Sequence, residues 1–252
     1  ELVLELVREI GQERQPVHVG LGAGYSAMLV AKHLASRIRS DESCPGLVLH
    51  ALSAGGFLPD KPQRSPIMYF NYFDDVLPRV NYVALFSPTI VPDSEYQRIQ
   101  TSPGVKTAFD RASEIDVVVT SFAWVGDEHG MLGQYLGQLS EAGQLGPQAI
   151  QAMREAGWIG DVQFQPYSPD GPIRDGCPVR AVTLFELSDL VRIAGSEGKH
   201  VVLLARPCGQ CGQLKTAALK PLLTQPSLRL WTHLIMDVDT AAGVLRKPPA
   251  AI

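Results

Sequence analysis

The residues best suited to chemistry lie between Val17 and Leu34, where a short apolar strand pattern ends in Gly20, Gly22 and Gly24 and a helical pattern begins. Glycines let the backbone turn sharply and approach a ligand closely, and the free N–H groups that open a helix favour an anion. The stretch therefore predicts a phosphate-binding loop, with a tight turn that binds no ligand as the alternative. The GxGxxG spacing is absent and no lysine follows the last glycine, so a nicotinamide or nucleotide enzyme is disfavoured.

A second glycine-rich loop carries Gly209 and Gly212 and leads into another helical pattern. Lys215 is predicted to lie a few residues into that helix, from where its ammonium group can reach back over the turn to a phosphate; a solvent-exposed helix lysine is the alternative. Cys208 and Cys211 have the spacing of redox or zinc sites, but the sequence offers no second such pair and no histidine pair at metal-ligand spacing. We therefore expect no metal and interpret both cysteines as small residues that line a pocket.

Carboxylates and a histidine follow two other strand patterns. Asp127, Glu128 and His129 come after the fourth strand, where a carboxylate and an imidazole can transfer protons on a sugar phosphate. A polar loop without chemistry is the alternative. Asp237 and Asp161 can each accept sugar hydroxyls or hold a loop by backbone hydrogen bonds. The structural role is preferred for Asp161, and both roles stay open for Asp237.

Composition limits the classes to which the chain can belong. Its 252 residues are 45% hydrophobic and 19% charged, as in an ordinary globular protein. The net charge of −4 provides no broad basic surface for nucleic acid, although a small anion can still bind where N–H groups and a basic side chain converge. Four scattered cysteines indicate a reducing compartment, and no apolar run is long enough to cross a membrane. We therefore expect a cytoplasmic protein with no membrane partner.

Strand and helix patterns alternate along the chain and put these loops at strand ends. Apolar strand patterns begin at Val17 and then cover 47–52, 81–88, 116–124, 199–205 and 228–237. Unbroken apolar runs that alternate with helices imply a parallel sheet buried on both faces. The prediction is one α/β domain over 1–252 with a Rossmann-like, mostly parallel sheet and helices on both faces. Ligands bind such sheets at the carboxyl ends of the strands.

The pattern changes between 126 and 175. A glycine-interrupted stretch is followed by a helix with Pro147 near its start and by a predicted hairpin with a Ser-Pro-Asp-Gly turn at 168–171. We interpret this part as a small inserted segment, either a lid or a subdomain. Two further local predictions are a helix that ends near Pro78 and a last helix capped by Asp239.

Seven segments occur in a recognisable order: GLGAGYS, LSAGG, ALFSPTIVPDSEYQRI, VVVTSFAWVGD, EAGWIGDVQFQPYSPDGPI, VVLLARPCGQCGQLKTAAL and LIMDVDTAAGVL. Their order resembles the sugar-binding effector domain of SorC-type transcriptional regulators over nearly the whole chain. The resemblance implies a fold like that of the glucosamine-phosphate isomerase, ribose-phosphate isomerase and CoA transferase group. It also implies that a phosphorylated sugar binds as an effector and is not transformed.

The resemblance implies roles for individual residues. Those implied at the phosphate are Gly22, Gly24, Ser26 and Lys215. Those implied in the sugar pocket are Ser53, Gly55, Gly56, Gly126 and Asp237. Further implied ligand contacts are Tyr25, Cys208 and Gly209. Such regulators carry an upstream helix-turn-helix domain that binds operator DNA. Because this chain starts at Glu1 and not at a methionine, we expect that domain upstream, and a homodimer or homotetramer.

The chain departs from the family pattern at three places. Arg206-Pro207 and Cys208-Gly209 stand where paired glycines are frequent, and Met236 stands where a threonine usually precedes the aspartate. Tyr25-Ser26 replaces a small residue followed by threonine. These departures bear on the identity of the sugar more than on the fold.

The sequence supports two alternative functions. In the first, which we favour, a phosphorylated sugar binds at the strand ends, orders 126–175, and alters the oligomeric state or the position of an attached DNA-binding segment. In the second, the chain is a sugar-phosphate isomerase-like enzyme. Asp127 or Glu128 would then be the general base and His129 its partner. Neither function calls for a cofactor.

Overall fold

Helices and strands alternate along most of the chain. The computed structural model describes residues 1–54, 61–76, 80–174, 177 and 179–246. The helices are α1 (Leu2–Glu13), α2 (Tyr25–Arg39), α3 (Pro66–Tyr69), α4 (Asp93–Gln100), α5 (Val105–Asp110), α6 (Met131–Glu141), α7 (Pro147–Glu155), α8 (Leu187–Ala194), α9 (Thr216–Thr224) and α10 (Val238–Leu245). The strands are β1 (Val17–Leu21), β2 (Leu47–Ala51), β3 (Val80–Val83), β4 (Ile90–Pro92), β5 (Val117–Trp124), β6 (Gly160–Val162), β7 (Gln165–Ser168), β8 (Gly171–Pro172), β9 (Val179–Ala181), β10 (His200–Ala205) and β11 (His233–Met236). None of these helices is long and apolar enough to cross a membrane.

Six strands form a parallel sheet in the order β3-β2-β1-β5-β10-β11. The chain runs outward from β1 to β3 on one side and from β5 to β11 on the other. The direction of winding therefore reverses between β1 and β5, and their carboxyl ends border the crevice where such sheets bind ligands. The predicted Rossmann-like, mostly parallel sheet is confirmed.

The burial of the central strands explains why they read as unbroken apolar runs. Every residue of β2 is buried, although successive side chains of a strand point to opposite faces. The sheet must therefore be covered on both sides. On α2, the small residues Ala27, Ala31 and Ala35 are buried, which lets this helix approach the sheet closely.

Strand β5 joins the parallel sheet to the inserted segment. Its first residues pair with β1 and β10, while Phe122 and Trp124 pair antiparallel with Val162 and Gly160 of β6. Strands β6, β7 and β8 continue as two hairpins, the second turning at the predicted 168–171 position. Part of the segment, including Leu132, Leu136, Met153 and Trp158, packs in a second apolar cluster together with Ile90 of β4 and Ala181 of β9.

Two local predictions differ from the structure. The stretch before Pro78 forms the short α3 and then a 3-10 helix, Phe70–Val76, in place of one α-helix; 77–79 lie outside the described residues. Asp239 is not the N-cap of α10. Asp237 caps it, since its carboxylate accepts hydrogen bonds from the Thr240 N–H (2.8 Å) and hydroxyl (3.0 Å). An N-cap side chain bonds to the N–H two or three residues on, and Asp237 has that spacing.

A pair of histidines on β1 and β2 makes stability depend on pH. His18 Nδ1 lies 2.9 Å from His50 Nε2, and His50 is fully buried. Burial lowers the pKa of His50 to about 3, with the neighbouring His18 acting in the same direction. The folded protein thus holds His50 neutral at a pH where the unfolded chain binds a proton.

We expect the free energy of unfolding to fall as the pH is lowered from about 6.5 towards 3, because the unfolded state takes up a proton that folded His50 refuses. One such group gives a slope of about 1.4 kcal/mol per pH unit. Urea unfolding between pH 7.5 and 5 measures it, and His50→Asn should flatten the slope by that amount. Equal slopes for the two proteins would contradict this role of His50.

Candidate functional site

A cleft opens at the carboxyl ends of β1, β5 and β10, beside the point where the winding reverses. It encloses about 90 Å³. Its walls come from the loop after β1, the end of β5 with the loop that follows, the tip of the β6–β7 hairpin, and the loop after β10. Residues that are far apart in the sequence therefore meet in one small space.

The loop after β1 presents the backbone N–H groups that open α2 to this cleft. Gly24 has φ +117°, a conformation that L side chains rarely adopt. Helix α2 starts at Tyr25, and Gly24 as its N-cap residue supplies no side-chain cap, so no cap side chain in the described part of the chain competes with a ligand for the first N–H groups of α2. Tyr25 and Ser26 line the cleft with Gly24. Gly22 packs behind them, where a Cβ would lie 3.0 Å from the Thr120 hydroxyl.

Tyr69 holds this loop in place, and sequence reasoning did not identify it. Its hydroxyl accepts a hydrogen bond from the Gly24 N–H (3.0 Å) and donates to the Arg64 carbonyl (2.7 Å). Burial raises the pKa of the Tyr69 phenol, so it stays a neutral donor. The sequence signal was absent because Tyr69 lies 45 residues from Gly24.

The loop after β10 packs directly on the loop after β1. A Cβ on Gly209 would lie 2.7 Å from the Tyr25 ring, so only glycine allows this contact. Gly212 has φ +73°, and its N–H donates to the Cys208 carbonyl at 2.9 Å. Lys215 is the residue just before α9, not several residues inside that helix. The two glycine-rich loops thus share one cleft, as their positions after strands predicted.

Asp127 is the centre of the polar contacts in the cleft. Its buried carboxylate accepts from the His129 N–H (3.0 Å), lies 3.2 Å from His129 Nδ1, and pairs with Lys215 Nζ at 3.4 Å. Burial raises the pKa of Asp127, but the hydrogen bonds from His129 and from the Cys208 thiol, with the Lys215 charge, bring that pKa below its usual value. Glu128 points outward, with its side chain 86% exposed.

The cleft carries more basic than acidic charge. Arg64, Arg206 and Lys215 line it, and the Arg206 guanidinium lies 5.1 Å from the centre of the Tyr25 ring. Burial raises the pKa of the opposing Asp161 to about 7, although the Lys215 charge acts against this shift. Near neutral pH, Asp161 is therefore only partly ionised, and Asp127 is the one fully ionised carboxylate among the described lining residues. This balance favours an anionic ligand.

The tip of the β6–β7 hairpin is strained and incompletely bonded. Gln163 (φ 51°) and Phe164 (φ 64°) both have left-handed backbones, a two-residue turn that normally uses Asn-Gly. Each such residue costs about 1–3 kcal/mol. The side-chain oxygen of Gln163, Oε1, accepts from the Thr183 hydroxyl, while the Nε2 of the same amide is buried and has no partner among the described residues. Sequence reasoning missed this turn because Gln-Phe has no turn-forming composition.

Three predicted ligand residues, Ser53, Gly126 and Asp237, are not among the described residues that line the cleft. Ser53 is buried and its backbone bridges to Thr183, Gly126 packs on the Trp124 ring, and Asp237 caps α10. Gly55 and Gly56 lie outside the described residues. Asp161, assigned a structural role from the sequence, lines the cleft.

The chain is an α/β domain with a cleft at the carboxyl ends of its parallel strands, and solved structures share this fold. A DeoR family transcriptional regulator from Listeria monocytogenes is similar (TM-score 0.61, 14% identity, 95% of this chain and 86% of that chain). So is the full-length sorbitol operon regulator SorC from Klebsiella pneumoniae (TM-score 0.67, 13% identity, 96% and 70%). A third is a domain of a transcriptional repressor from Vibrio fischeri, described as sugar-binding (TM-score 0.62, 13% identity, 95% and 85%). No family model and no curated protein matches the sequence. At identities of 13–14%, the similarity to these structures establishes the fold alone. For the fold, it confirms the resemblance to SorC-type regulators that the sequence indicated.

Proposed function

We propose that this chain is the effector-binding domain of a transcriptional regulator and that its effector is a phosphorylated sugar. The observation that carries the proposal is the cleft, where an uncapped helix N-terminus and three basic side chains converge at the ligand-binding edge of a doubly wound sheet. The shared fold supports the same conclusion, since the similar structures are described as transcriptional regulators.

The phosphate group would bind at the start of α2. The first backbone N–H groups of this helix and the Ser26 hydroxyl supply donors, and the helix dipole favours negative charge there. Lys215 and Arg206 supply positive charge from the opposite loop. The phosphate would then bridge the loops that follow β1 and β10.

The sugar would extend towards the β6–β7 hairpin. The Gln163 Nε2, unbonded among the described residues, is a donor for a sugar hydroxyl, and leaving such a buried group unbonded costs about 1–3 kcal/mol. Asp161 can accept from a hydroxyl when ionised or donate to one when protonated. A sugar hydroxyl that accepts from Nε2 would thus supply the hydrogen bond that this buried amide lacks among the described residues.

This contact would couple the ligand to 126–175. Phe164 at the hairpin tip packs in the second apolar cluster, whereas the phosphate loops follow strands of the parallel sheet. A ligand that bonds both parts stabilises one arrangement of the two and shifts the population towards it. We propose that 126–175 acts as the lid. An upstream DNA-binding domain, assembly into a homodimer or homotetramer, and a cytoplasmic location complete the proposal.

An isomerase-like activity is less well supported by the geometry. Asp127 is held by His129, Cys208 and Lys215, and its lowered pKa makes it a weak base. Glu128, the other candidate base, points into solvent. The cleft therefore favours binding over proton transfer.

A thermal-shift screen of pentose and hexose phosphates tests the proposed function. An effector at 100 times its Kd should stabilise the fold by about 2.7 kcal/mol. The stabilising compound should then remain chemically unchanged during prolonged incubation, as followed by NMR. Conversion of the compound into an isomer would favour the enzyme, and the absence of any stabilising sugar phosphate would contradict the effector proposal.

Gln163→Met should weaken binding of the effector by about 2- to 13-fold, because one neutral hydrogen bond contributes about 0.5–1.5 kcal/mol. Methionine keeps the length of the side chain and removes the amide. Gln138→Met, on the outer part of α6, is the matched control and should leave the affinity unchanged. Calorimetric titration measures both; equal affinities for the two variants would show that Gln163 makes no ligand contact.

A further inference from the structure

Four side chains with metal-ligating atoms meet on one wall of the cleft. Asp127 and His129 come from the loop after β5, and Cys208 and Cys211 come from the loop after β10. Their ligand atoms all lie within 4.8 Å of one another. We propose that these four residues form a zinc site. The inference does not depend on the identity of the effector.

The two distances that join His129 Nδ1 to its neighbours in the cluster suit tetrahedral zinc. His129 Nδ1 lies 3.2 Å from Asp127 Oδ1 and 3.7 Å from Cys208 Sγ. Zinc bonds of about 2.0–2.3 Å at tetrahedral angles separate neighbouring ligand atoms by about 3.3–3.8 Å. A set of two thiolates, one imidazole and one carboxylate is a chemistry that zinc accepts, and four protein ligands make a closed, structural site.

The loop after β10 holds both cysteines in a fixed turn. The N–H groups of Gln210 and Cys211 donate hydrogen bonds to Cys208 Sγ, which orients this side chain. The turn is closed by the Gly212 N–H on the Cys208 carbonyl and by the Cys208 N–H on the Gln213 carbonyl, each at 2.9 Å. The spacing of the cysteines is therefore supported by a backbone geometry that turns both towards one point.

The loop after β5 orients the other two ligands. The His129 N–H donates to Asp127 Oδ1 at 3.0 Å, which fixes the carboxylate beside the imidazole. His129 Nδ1 faces the cluster, while Nε2 lies 3.9 Å from Glu128 Oε1. At 3.9 Å these two atoms are not hydrogen-bonded, so the ligands that this loop orients are Asp127 and His129.

The charges of the site and its surroundings also balance. Zinc with two thiolates and one carboxylate carries a net charge of −1, and Lys215 Nζ lies 3.4 Å from Asp127 Oδ2. Lys215 can remain there, since zinc needs only the other carboxylate oxygen.

The metal would tie the start of 126–175 to the loop after β10 and so make this wall of the cleft rigid. The sequence offered no histidine pair to complete a metal site with Cys208 and Cys211. In the structure, Asp127 and His129, which follow the neighbouring strand β5, take that place.

Cobalt titration of the full chain tests the proposal. The protein is reduced, treated with a chelator, dialysed, and titrated with Co²⁺ as the probe. We expect one Co²⁺ per chain, with a thiolate-to-cobalt charge-transfer band and the visible bands of tetrahedral cobalt, all displaced by one equivalent of Zn²⁺. Cys211→Ser should weaken Co²⁺ binding by at least about 10-fold. Cys177→Ser, outside the cluster, should leave it unchanged.

Cys211 is exposed, so its serine variant should fold, and the far-ultraviolet circular dichroism of the two variants should coincide. A missing charge-transfer band, or the same Co²⁺ affinity in Cys211→Ser and the wild type, would overturn the proposal. So would a Cys208–Cys211 disulfide in the purified protein that, once reduced, yields no metal uptake. None of these outcomes affects the sugar-phosphate measurements, which depend on the loop after β1 and on Lys215.

Discussion

Lys215→Ala should weaken binding of the phosphorylated sugar by about 10- to 150-fold. A hydrogen bond to a charged partner contributes about 1.5–3 kcal/mol, which corresponds to that range. The side chain is mostly buried in the cleft, so solvent screens it little. Its removal also leaves Asp127 without its ion-pair partner, and this carboxylate then repels the phosphate. Both effects act in the same direction.

Lys220→Ala is the matched control, because Lys220 lies on α9, exposed and outside the cleft. It removes the same charge from the same helix region and should change the affinity little. Isothermal titration calorimetry of both variants with the best sugar phosphate provides the comparison. If the two variants bind equally well, Lys215 does not contact the phosphate.

Gly24→Ala should destabilise the fold by about 1–3 kcal/mol and reduce effector affinity at the same time. The space around Gly24 is sufficient, since a Cβ would come no closer than 3.6 Å to the Ser121 hydroxyl. The strain arises from the backbone alone, because φ is +117°. Any relaxation of φ would move the N–H groups that open α2, and with them the phosphate donors.

Gly137→Ala tests whether this effect is specific. Gly137 lies inside α6, and a Cβ there meets nothing within 4 Å, so alanine should stabilise the fold by about 0.5–1 kcal/mol. Glycine-to-alanine substitution is thus expected to lower the free energy of unfolding at Gly24 and to raise it at Gly137. Urea unfolding measures both, and a stable Gly24→Ala variant that binds its ligand normally would contradict the assigned loop geometry.

Much of the fold could be predicted from the sequence because the parallel sheet is locally encoded. Strands buried on both faces read as continuous apolar runs, as in VVVT at 117–120. Glycine or a polar residue directly follows β1, β10 and β11 where these strands end. Since all six strands point the same way, their ends meet at one edge. The meeting of Gly24 with Gly209 and Lys215 follows from that shared direction.

The remaining parts of the site depend on contacts that have no local signal. Tyr69 bonds to Gly24 across 45 residues, and Cys208 meets His129 across 79. The Gln163-Phe164 turn uses residues that disfavour it, because tertiary contacts such as the Thr183 hydrogen bond hold it there. For Asp237 the sequence left both a ligand contact and a backbone hydrogen bond open, and the structure shows the backbone bond, from the Thr240 N–H to its carboxylate.

The most direct test compares a sugar phosphate with the same sugar lacking the phosphate, titrated into the wild-type chain by calorimetry. We expect the phosphorylated compound to bind at least about 10-fold more tightly, since the phosphate makes charged hydrogen bonds that the free sugar cannot make. Inorganic phosphate should compete with it. Equal affinities for the two forms, or binding of neither across the pentose and hexose series, would contradict the claim that the strand ends form an anionic-sugar site.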